Sequence, residues 1–191
     1  MKKEALKDKK ILIGITGGAA IYKTCNLVRI FKKEKAKLKI VMTETAKRLI
    51  SPFLFQSLSS SPVFTSIFDF SQENKILHIY LAEWADIFLI SPATLNTISK
   101  LTNGIADNLL GCVFFALPKE TPVVIVPAMN ENMWENIFFQ RNLRELKKRK
   151  NLEIILPQKG TLASGKIGRG KMAEEKDILE TVIKFLCKKK S

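Results

Sequence analysis

The sequence predicts a single α/β domain, residues 1–191, in which helices cover both faces of a doubly wound parallel sheet. Apolar runs such as Lys10–Thr16 (KILIGIT) and Pro122–Val126 (PVVIV) are continuous rather than alternating, which is typical of strands buried on both faces. Longer amphipathic stretches separate these runs, as in a strand–helix–strand repeat. A glycine-rich turn, Gly14–Ala20, follows the first run. Together these observations indicate a Rossmann-like or flavodoxin-like layer, whose ligands bind at the carboxyl ends of the strands.

The amino-terminal half alternates between strand and helix. In the first predicted helix, Ile21, Cys25 and Val28 share one face at helical spacing. The predicted elements are a strand at Lys10–Thr16, a helix to about Lys33, a strand at Leu38–Thr43 and a helical stretch to about Leu58.

The carboxyl-terminal half continues this alternation, and we expect flexible basic termini at about residues 1–9 and 187–191. One predicted helix ends at Pro118, because proline cannot continue a helix. The predicted elements are strands at Asp86–Ser91, Pro122–Val126 and Leu152–Leu156, helices at Asn96–Leu117, from Asn130 to about Arg149 and at Glu174–Lys188, and a loop at Gly160–Gly170.

The formal net charge of +14 does not by itself predict a nucleic-acid-binding protein. The lysines fall in short runs, Lys32–Lys37, Lys147–Lys150 and Lys188–Lys190, without interleaved aromatic residues. A solvated basic surface that also attracts anionic ligands explains this charge. We therefore expect no specific nucleic-acid partner.

The cysteine and histidine content indicates a reducing compartment and no metal site. The three cysteines are widely spaced and odd in number, and there is one histidine. The first ten residues are charged rather than signal-like, and no apolar run approaches the roughly 18–20 residues that span a bilayer. We expect a cytoplasmic protein without a membrane segment.

Small and polar residues follow the predicted strands. The turn Gly17–Ala19 would let backbone N–H groups approach a phosphate at a helix N-terminus, although it matches neither GxGxxG nor a P-loop and could be only a tight turn. Thr43 and Thr45 could bind a phosphate or flavin, or cap a helix. Polar patches also follow the next two strands, at Thr94–Thr97 and at Ala128–Asn130.

Seven segments in this order resemble the homo-oligomeric flavin-containing cysteine decarboxylases. The glycine-rich turn alone is not specific, whereas PAMN at residues 127–130 and the lone His78 before the predicted strand Asp86–Ser91 are. The matching segments are Ile13–Lys23 (IGITGGAAIYK), Val41–Thr45 (VMTET), Leu77–Asp86 (LHIYLAEWAD), Ser91–Thr97 (SPATLNT), Gly104–Leu110 (GIADNLL), Pro127–Trp134 (PAMNENMW) and Gly160–Met172 (GTLASGKIGRGKM).

The resemblance implies an enzyme that uses FMN to decarboxylate phosphopantothenoylcysteine, a phosphorylated cysteine conjugate, in coenzyme A biosynthesis. It implies a catalytic role for His78, which composition alone would leave as a structural residue, and a substrate carboxylate held by Asn130. It also implies a flap at Gly160–Met172 and a homotrimer, or a larger trimer-based assembly, with sites shared between subunits. The implied FMN-binding residues are Gly17, Gly18, Ala19, Thr43, Thr45, Thr94, Leu95, Asn96, Thr97 and Ala128. The implied substrate-binding residues are Asn130, Ala163, Ser164 and Met172.

One position departs from the family pattern. Ser164 stands where these enzymes commonly carry a cysteine that donates the last proton, and a hydroxyl is far less acidic than a thiol. Either another donor, such as Lys166 or Lys171 with a lowered pKa, replaces it, or the reaction stops at an enethiol, or the substrate is a peptidyl cysteine. A non-catalytic, flavin-bound regulatory protein is the alternative outside enzymes.

Overall fold

The computed structural model describes residues 5–69, 75–161 and 165–187, and the elements below lie within these ranges. The strands are β1 (Lys10–Ile15), β2 (Lys37–Met42), β3 (Val63–Phe64), β4 (Ile87–Ala93), β5 (Val123–Pro127), β6 (Leu152–Ile154), β7 (Gln158–Thr161) and β8 (Ile167–Lys171). The helices are α1 (Ile21–Lys33), α2 (Glu44–Leu49), α3 (Pro52–Ser59), α4 (Leu77–Trp84), α5 (Leu95–Thr102), α6 (Leu109–Ala116), α7 (Glu131–Glu135), α8 (Ile137–Leu146) and α9 (Glu175–Cys187).

In the described part of the chain, six parallel strands form one sheet in the order β3-β2-β1-β4-β5-β6. This is the Rossmann order and not the flavodoxin order, between which the sequence did not decide. The order reverses between β1 and β4, which pair in parallel from Ile11 with Ile87 to Gly14 with Ile90. A doubly wound sheet opens a crevice at such a switch point, beyond the carboxyl ends of its strands.

Alternate strand residues enter two separate hydrophobic cores, one on each face of the sheet. Ile11 and Ile13 pack with α1, α3 and α9, whereas Leu12 packs with α4, α5, α6 and α8 on the other face. Both sets of strand residues are fully buried. This two-sided burial explains the continuous apolar runs and confirms the predicted fold class.

Three predicted helices are wrong in extent, because each is broken by a local stop signal. The stretch predicted after β2 divides at Ser51, which caps α3, and at Pro52 in the first turn of α3. Asn96–Leu117 divides into α5 and α6, with Gly104 at φ +74° and Asn108 capping α6. The helix predicted from Asn130 divides at Asn136, whose Oδ1 accepts a hydrogen bond from the N–H of Phe138 at 3.0 Å.

Two other expectations are corrected, one for Gly160–Gly170 and one for the amino-terminal segment. Gly160–Gly170 is not simply a loop, because β7 and β8 pair as an antiparallel hairpin. The segment up to residue 9 is not wholly flexible, because Leu6 is fully buried in the core beside α1 and α9. The short strand β3 was not predicted. The other strand boundaries fall within one or two residues of the predictions.

Candidate active site

A cavity of about 700 Å³ lies at the carboxyl edge of the sheet, beside the switch point. The turn after β1 forms one wall, and the segments that follow β4 and β5 form another. The hairpin β7–β8 supplies a third wall. The lining residues are Gly17, Gly18, Ala19, Ala20, Tyr22, Lys23, Thr94, Leu95, Ala128, Met129, Asn130, Met133, Thr161, Gly170, Lys171 and Met172.

The turn between β1 and α1 brings backbone close to the cavity at two glycines. A Cβ on Gly17 would lie 2.4 Å from Cγ2 of Thr45 and 2.9 Å from its carbonyl carbon, so this approach requires glycine. A Cβ on Gly18 would contact Thr94 at 3.6 Å, which is an ordinary van der Waals distance. A small side chain could therefore fit at Gly18, close to the N-terminus of α1, where the helix dipole favours an anion.

Thr16, which the sequence analysis did not select, ties the first turn to the fourth strand. Its buried hydroxyl donates to the carbonyl of Pro92 at 2.7 Å and accepts the N–H of Thr94 at 3.0 Å. Its partners lie more than seventy residues away in the chain, so no local sequence signal could have identified this role. The two bonds fix the turns after β1 and β4 relative to each other.

Of the threonines after β4, Thr94 caps helix α5. Oγ1 of Thr94 accepts the N–H of Thr97 at 3.3 Å and donates to the Thr97 hydroxyl at 3.2 Å. Thr94 and Leu95 reach the cavity, whereas Asn96 is exposed and Thr97 is buried away from it. The cap explains why hydroxyls occur here even without a ligand.

Asn130 lies on the cavity wall beyond β5. Its Oδ1 accepts the N–H of Asn132 at 2.9 Å, which caps α7 and orients the carboxamide. This cap does not use the Nδ2 hydrogens, which can donate to an anionic group. Ala128 stands beside Asn130 at the edge of the core, 9% exposed, and also lines the cavity.

A charged cluster borders the cavity near the hairpin. Glu174 Oε1 accepts a hydrogen bond from Lys171 Nζ at 2.9 Å, and Glu174 Oε2 lies 3.7 Å from Lys23 Nζ. The hydrogen bond from Lys171, assisted by Lys23, lowers the pKa of Glu174 below its ordinary value. The same hydrogen bond raises the pKa of Lys171. Lys23 and Lys171 line the cavity, so both ammonium groups lie where an anionic ligand could contact them.

The raised pKa corrects one sequence-based suggestion. The sequence suggests Lys171 as a proton donor with a lowered pKa, but its partner Glu174 stabilises the ammonium form. A more tightly held proton makes Lys171 a poorer general acid.

The structure brings together most of the residues that the sequence selected. Thr43 does not line the cavity and instead caps α2 through the N–H of Ala46; Thr45 packs behind Gly17. Ala163 and Ser164 lie outside the described residues. The selected residues on the cavity wall are Gly17, Gly18, Ala19, Thr94, Leu95, Ala128, Asn130 and Met172, and those away from it are Thr43, Thr45, His78, Asn96 and Thr97.

His78 occupies the second position of α4 and is half-buried. It does not line the cavity of its own chain. Its neighbours Ile76 and Ile79 are exposed, at 63% and 40%. A single chain therefore does not unite His78 with Asn130 in one site.

Comparison with known proteins identifies the class to which this fold and cavity belong. Residues 1–187 match the family model described as Flavoprotein. The chain therefore belongs to the flavoprotein family.

Individual relatives of the chain have more specific names than the family model does. The chain is 37% identical to the coenzyme A biosynthesis bifunctional protein CoaBC of Haemophilus influenzae over 184 residues, 96% of this chain and 45% of the relative. It is also 37% identical to CoaBC of Bacillus subtilis, over 97% of this chain and 45% of the relative. The chain thus spans about half the length of these curated relatives.

Two solved structures match over nearly their whole length. A mutant PPC decarboxylase complexed with pantothenoylaminoethenethiol superimposes with a TM-score of 0.83 and 32% identity, covering 94% of this chain and 98% of that one. The FMN binding protein AtHal3 gives a TM-score of 0.81 and 32% identity, covering 94% of this chain and 97% of that one. Across the described ranges, no helix combines the length and apolar character needed to cross a membrane.

Proposed function

We propose that this chain binds FMN and decarboxylates phosphopantothenoylcysteine to phosphopantetheine, a step of coenzyme A biosynthesis. The observation that carries this proposal is a cavity at the switch point that unites the glycine turn Gly17–Ala19 with Asn130. Similarity to CoaBC and to a PPC decarboxylase supports the substrate class. The substrate would be a small phosphorylated cysteine conjugate.

The cavity residues fit a flavin mononucleotide. Gly17 and Gly18 expose backbone at the N-terminus of α1, a thirteen-residue helix whose dipole suits a phosphate. Apolar groups of Leu95, Ala128 and Met172 offer contacts for a flat ring system. The volume of about 700 Å³ lies within the usual range of ligand pockets.

The reaction needs an electron sink, because loss of carbon dioxide from an ordinary carbon leaves a carbanion without stabilisation. When bound, FMN supplies the two-electron redox chemistry that creates this sink at the cysteine sulfur. The protein orients the cysteine side chain against the cofactor and holds the carboxylate. We assign the proton-transfer or electrostatic role at the thiol to His78.

Asn130 suits a carboxylate that must leave. A neutral carboxamide donates a hydrogen bond through Nδ2, while its Oδ1 is fixed by the N–H of Asn132. A cation would hold the ground-state carboxylate more strongly, and such binding would be lost as carbon dioxide forms. Asn130 therefore binds the substrate without stabilising it against reaction.

We further propose that the working enzyme is a homotrimer, or a larger assembly of trimers, with sites shared between subunits. His78 is absent from the cavity wall of its own chain, while exposed Ile76 and Ile79 flank it. A neighbouring subunit could bring α4, and with it His78, to this cavity. Mixing His78→Asn chains with Gly18→Asp chains before reassembly tests this arrangement. Recovered activity supports a shared site, whereas a mixture as inactive as each variant contradicts it.

The proposed function is tested by cofactor analysis combined with an Asn130 variant. The native chain should purify yellow and release FMN on denaturation. Asn130→Asp should retain the flavin but lose substrate binding, because two carboxylates would then face each other. Asn130→Gln is the neutral control. Unchanged affinity of Asn130→Asp for phosphopantothenoylcysteine would overturn the role of Asn130, and a colourless native protein would overturn the cofactor.

A further inference from the structure

Strand β8 is attached to the segment after β5 by two hydrogen bonds. The backbone N–H of Arg169 donates to Oε1 of Glu131 at 2.7 Å. The backbone N–H of Met129 donates to the carbonyl of Gly170 at 3.1 Å. Glu131 and Arg169 are 38 residues apart in sequence, and their bond joins two elements that carry the cavity residues Asn130 and Gly170.

Two glycines make this close approach possible. A Cβ on Gly168 would lie 2.5 Å from Oε2 and 2.7 Å from Cδ of Glu131, so the carboxylate lies directly against the strand backbone. A Cβ on Gly170 would lie 2.1 Å from the carbonyl oxygen of Met129, and Gly170 has φ +151°. The contact between β8 and residues 129–131 therefore depends on both glycines and on the Glu131 carboxylate.

The attached strand forms part of the cavity. Gly170, Lys171 and the following Met172 line the cavity together with Asn130, which is the neighbour of Glu131 in the chain. Glu131 itself does not line the cavity. A shift of β8 away from Glu131 would separate this wall from Asn130.

We propose that Glu131 is a positioning residue that holds β8 beside Asn130 and so sets the geometry of the substrate end of the cavity. A carboxylate that accepts a backbone N–H makes a charge-assisted hydrogen bond, which is stronger than a neutral one. This role rests on the proposed function, since Asn130 binds the substrate there. Because Glu131 does not line the cavity, its effect on the substrate would pass through β8.

The first experiment compares Glu131→Ala and Glu131→Gln with the control Glu135→Ala, which removes an exposed carboxylate at the other end of α7. In Glu131→Ala, we expect the Arg169 amide to exchange with deuterium about tenfold faster, since one hydrogen bond protects it. We expect KM for phosphopantothenoylcysteine to rise by about tenfold with kcat nearly unchanged. Glu131→Gln should largely rescue both values because its amide oxygen can accept the same bond, and Glu135→Ala should match the native chain.

A second variant tests the contact itself. The Cβ of Gly168→Ala would displace the Glu131 carboxylate, a flexible side-chain end, and should reproduce the effect of Glu131→Ala. In a Glu131→Ala background, Gly168→Ala should add little. Native-like exchange and KM in Glu131→Ala, or fully additive effects in the double variant, would overturn the proposal. Amide exchange is measured without substrate, so it tests the role of Glu131 even if the chain turns over no phosphopantothenoylcysteine.

Discussion

Gly18→Asp should weaken FMN binding strongly, through its charge and not through its shape. The position tolerates a side chain, because a Cβ there meets Thr94 at 3.6 Å and Pro92 at 3.8 Å. The added carboxylate would lie at the N-terminus of α1, where we place the phosphate. Two unit charges 4 Å apart repel by about 1 kcal/mol in water and by about 4 kcal/mol at an effective dielectric constant of 20. A nearly dianionic phosphate doubles these values, so the lower bound is about 2 kcal/mol, or about 30-fold in affinity.

Gly18→Asn is the matched control, because it has almost the same shape without the charge. Titration of each apoprotein with FMN, followed by flavin fluorescence, gives the two dissociation constants. We expect Gly18→Asp to bind at least about 30-fold more weakly than Gly18→Asn, with the gap narrowing at high salt. Equal affinities in the two variants would place the phosphate elsewhere and refute the reasoning.

Three further predictions address the other parts of the account. His78→Asn should keep bound FMN but slow substrate-dependent flavin reduction under anaerobic conditions by about 10²–10⁴-fold, and near-native reduction would return His78 to a structural role. Thr16→Val should lower the free energy of unfolding by about 1–3 kcal/mol in urea titrations, because it strands the Pro92 carbonyl and the Thr94 N–H. Thr16→Ser keeps the hydroxyl and should regain this stability. Equal stability of Thr16→Val and Thr16→Ser would show that the two hydrogen bonds of Thr16 do not stabilise the fold. Burial raises the pKa of the Cys25 thiol, so iodoacetamide should label Cys25 more slowly than exposed Cys187 at neutral pH, and faster labelling of Cys25 would contradict this.

The sheet could be predicted from the sequence because its signal is local. Each central strand is buried on both faces, so residues such as Ile11 and Leu12 must both be apolar, and the run is visible without knowing its partners. Helix ends were less predictable. Gly104 and Asn136 lie inside helical patterns of the sequence. Only the structure shows that Gly104 has a positive φ and that Asn136 caps α8.

The hairpin β7–β8 and its role could not be predicted from periodicity. Strand β8 is glycine-rich and half exposed, and its position depends on Met129 and Glu131, which are distant in sequence. The role of Thr16 could not be predicted for the same reason, because its partners, Pro92 near the end of β4 and Thr94 directly after β4, are distant in sequence. The cavity residues Gly18 and Asn130 were found because each follows a recognisable strand and belongs to a motif of the resembling family.

The central claim is that this chain decarboxylates phosphopantothenoylcysteine, and mass spectrometry of an anaerobic reaction tests it most directly. We expect one carbon dioxide to be released for each phosphopantetheine formed, and the oxidised-flavin absorbance to be recovered at the end. Ser164→Cys, assayed beside the native chain, shows whether the native serine limits the final protonation. Accumulation of an enethiol, lighter than phosphopantetheine by one hydrogen molecule, would contradict completed turnover, and release of no carbon dioxide would contradict the function itself.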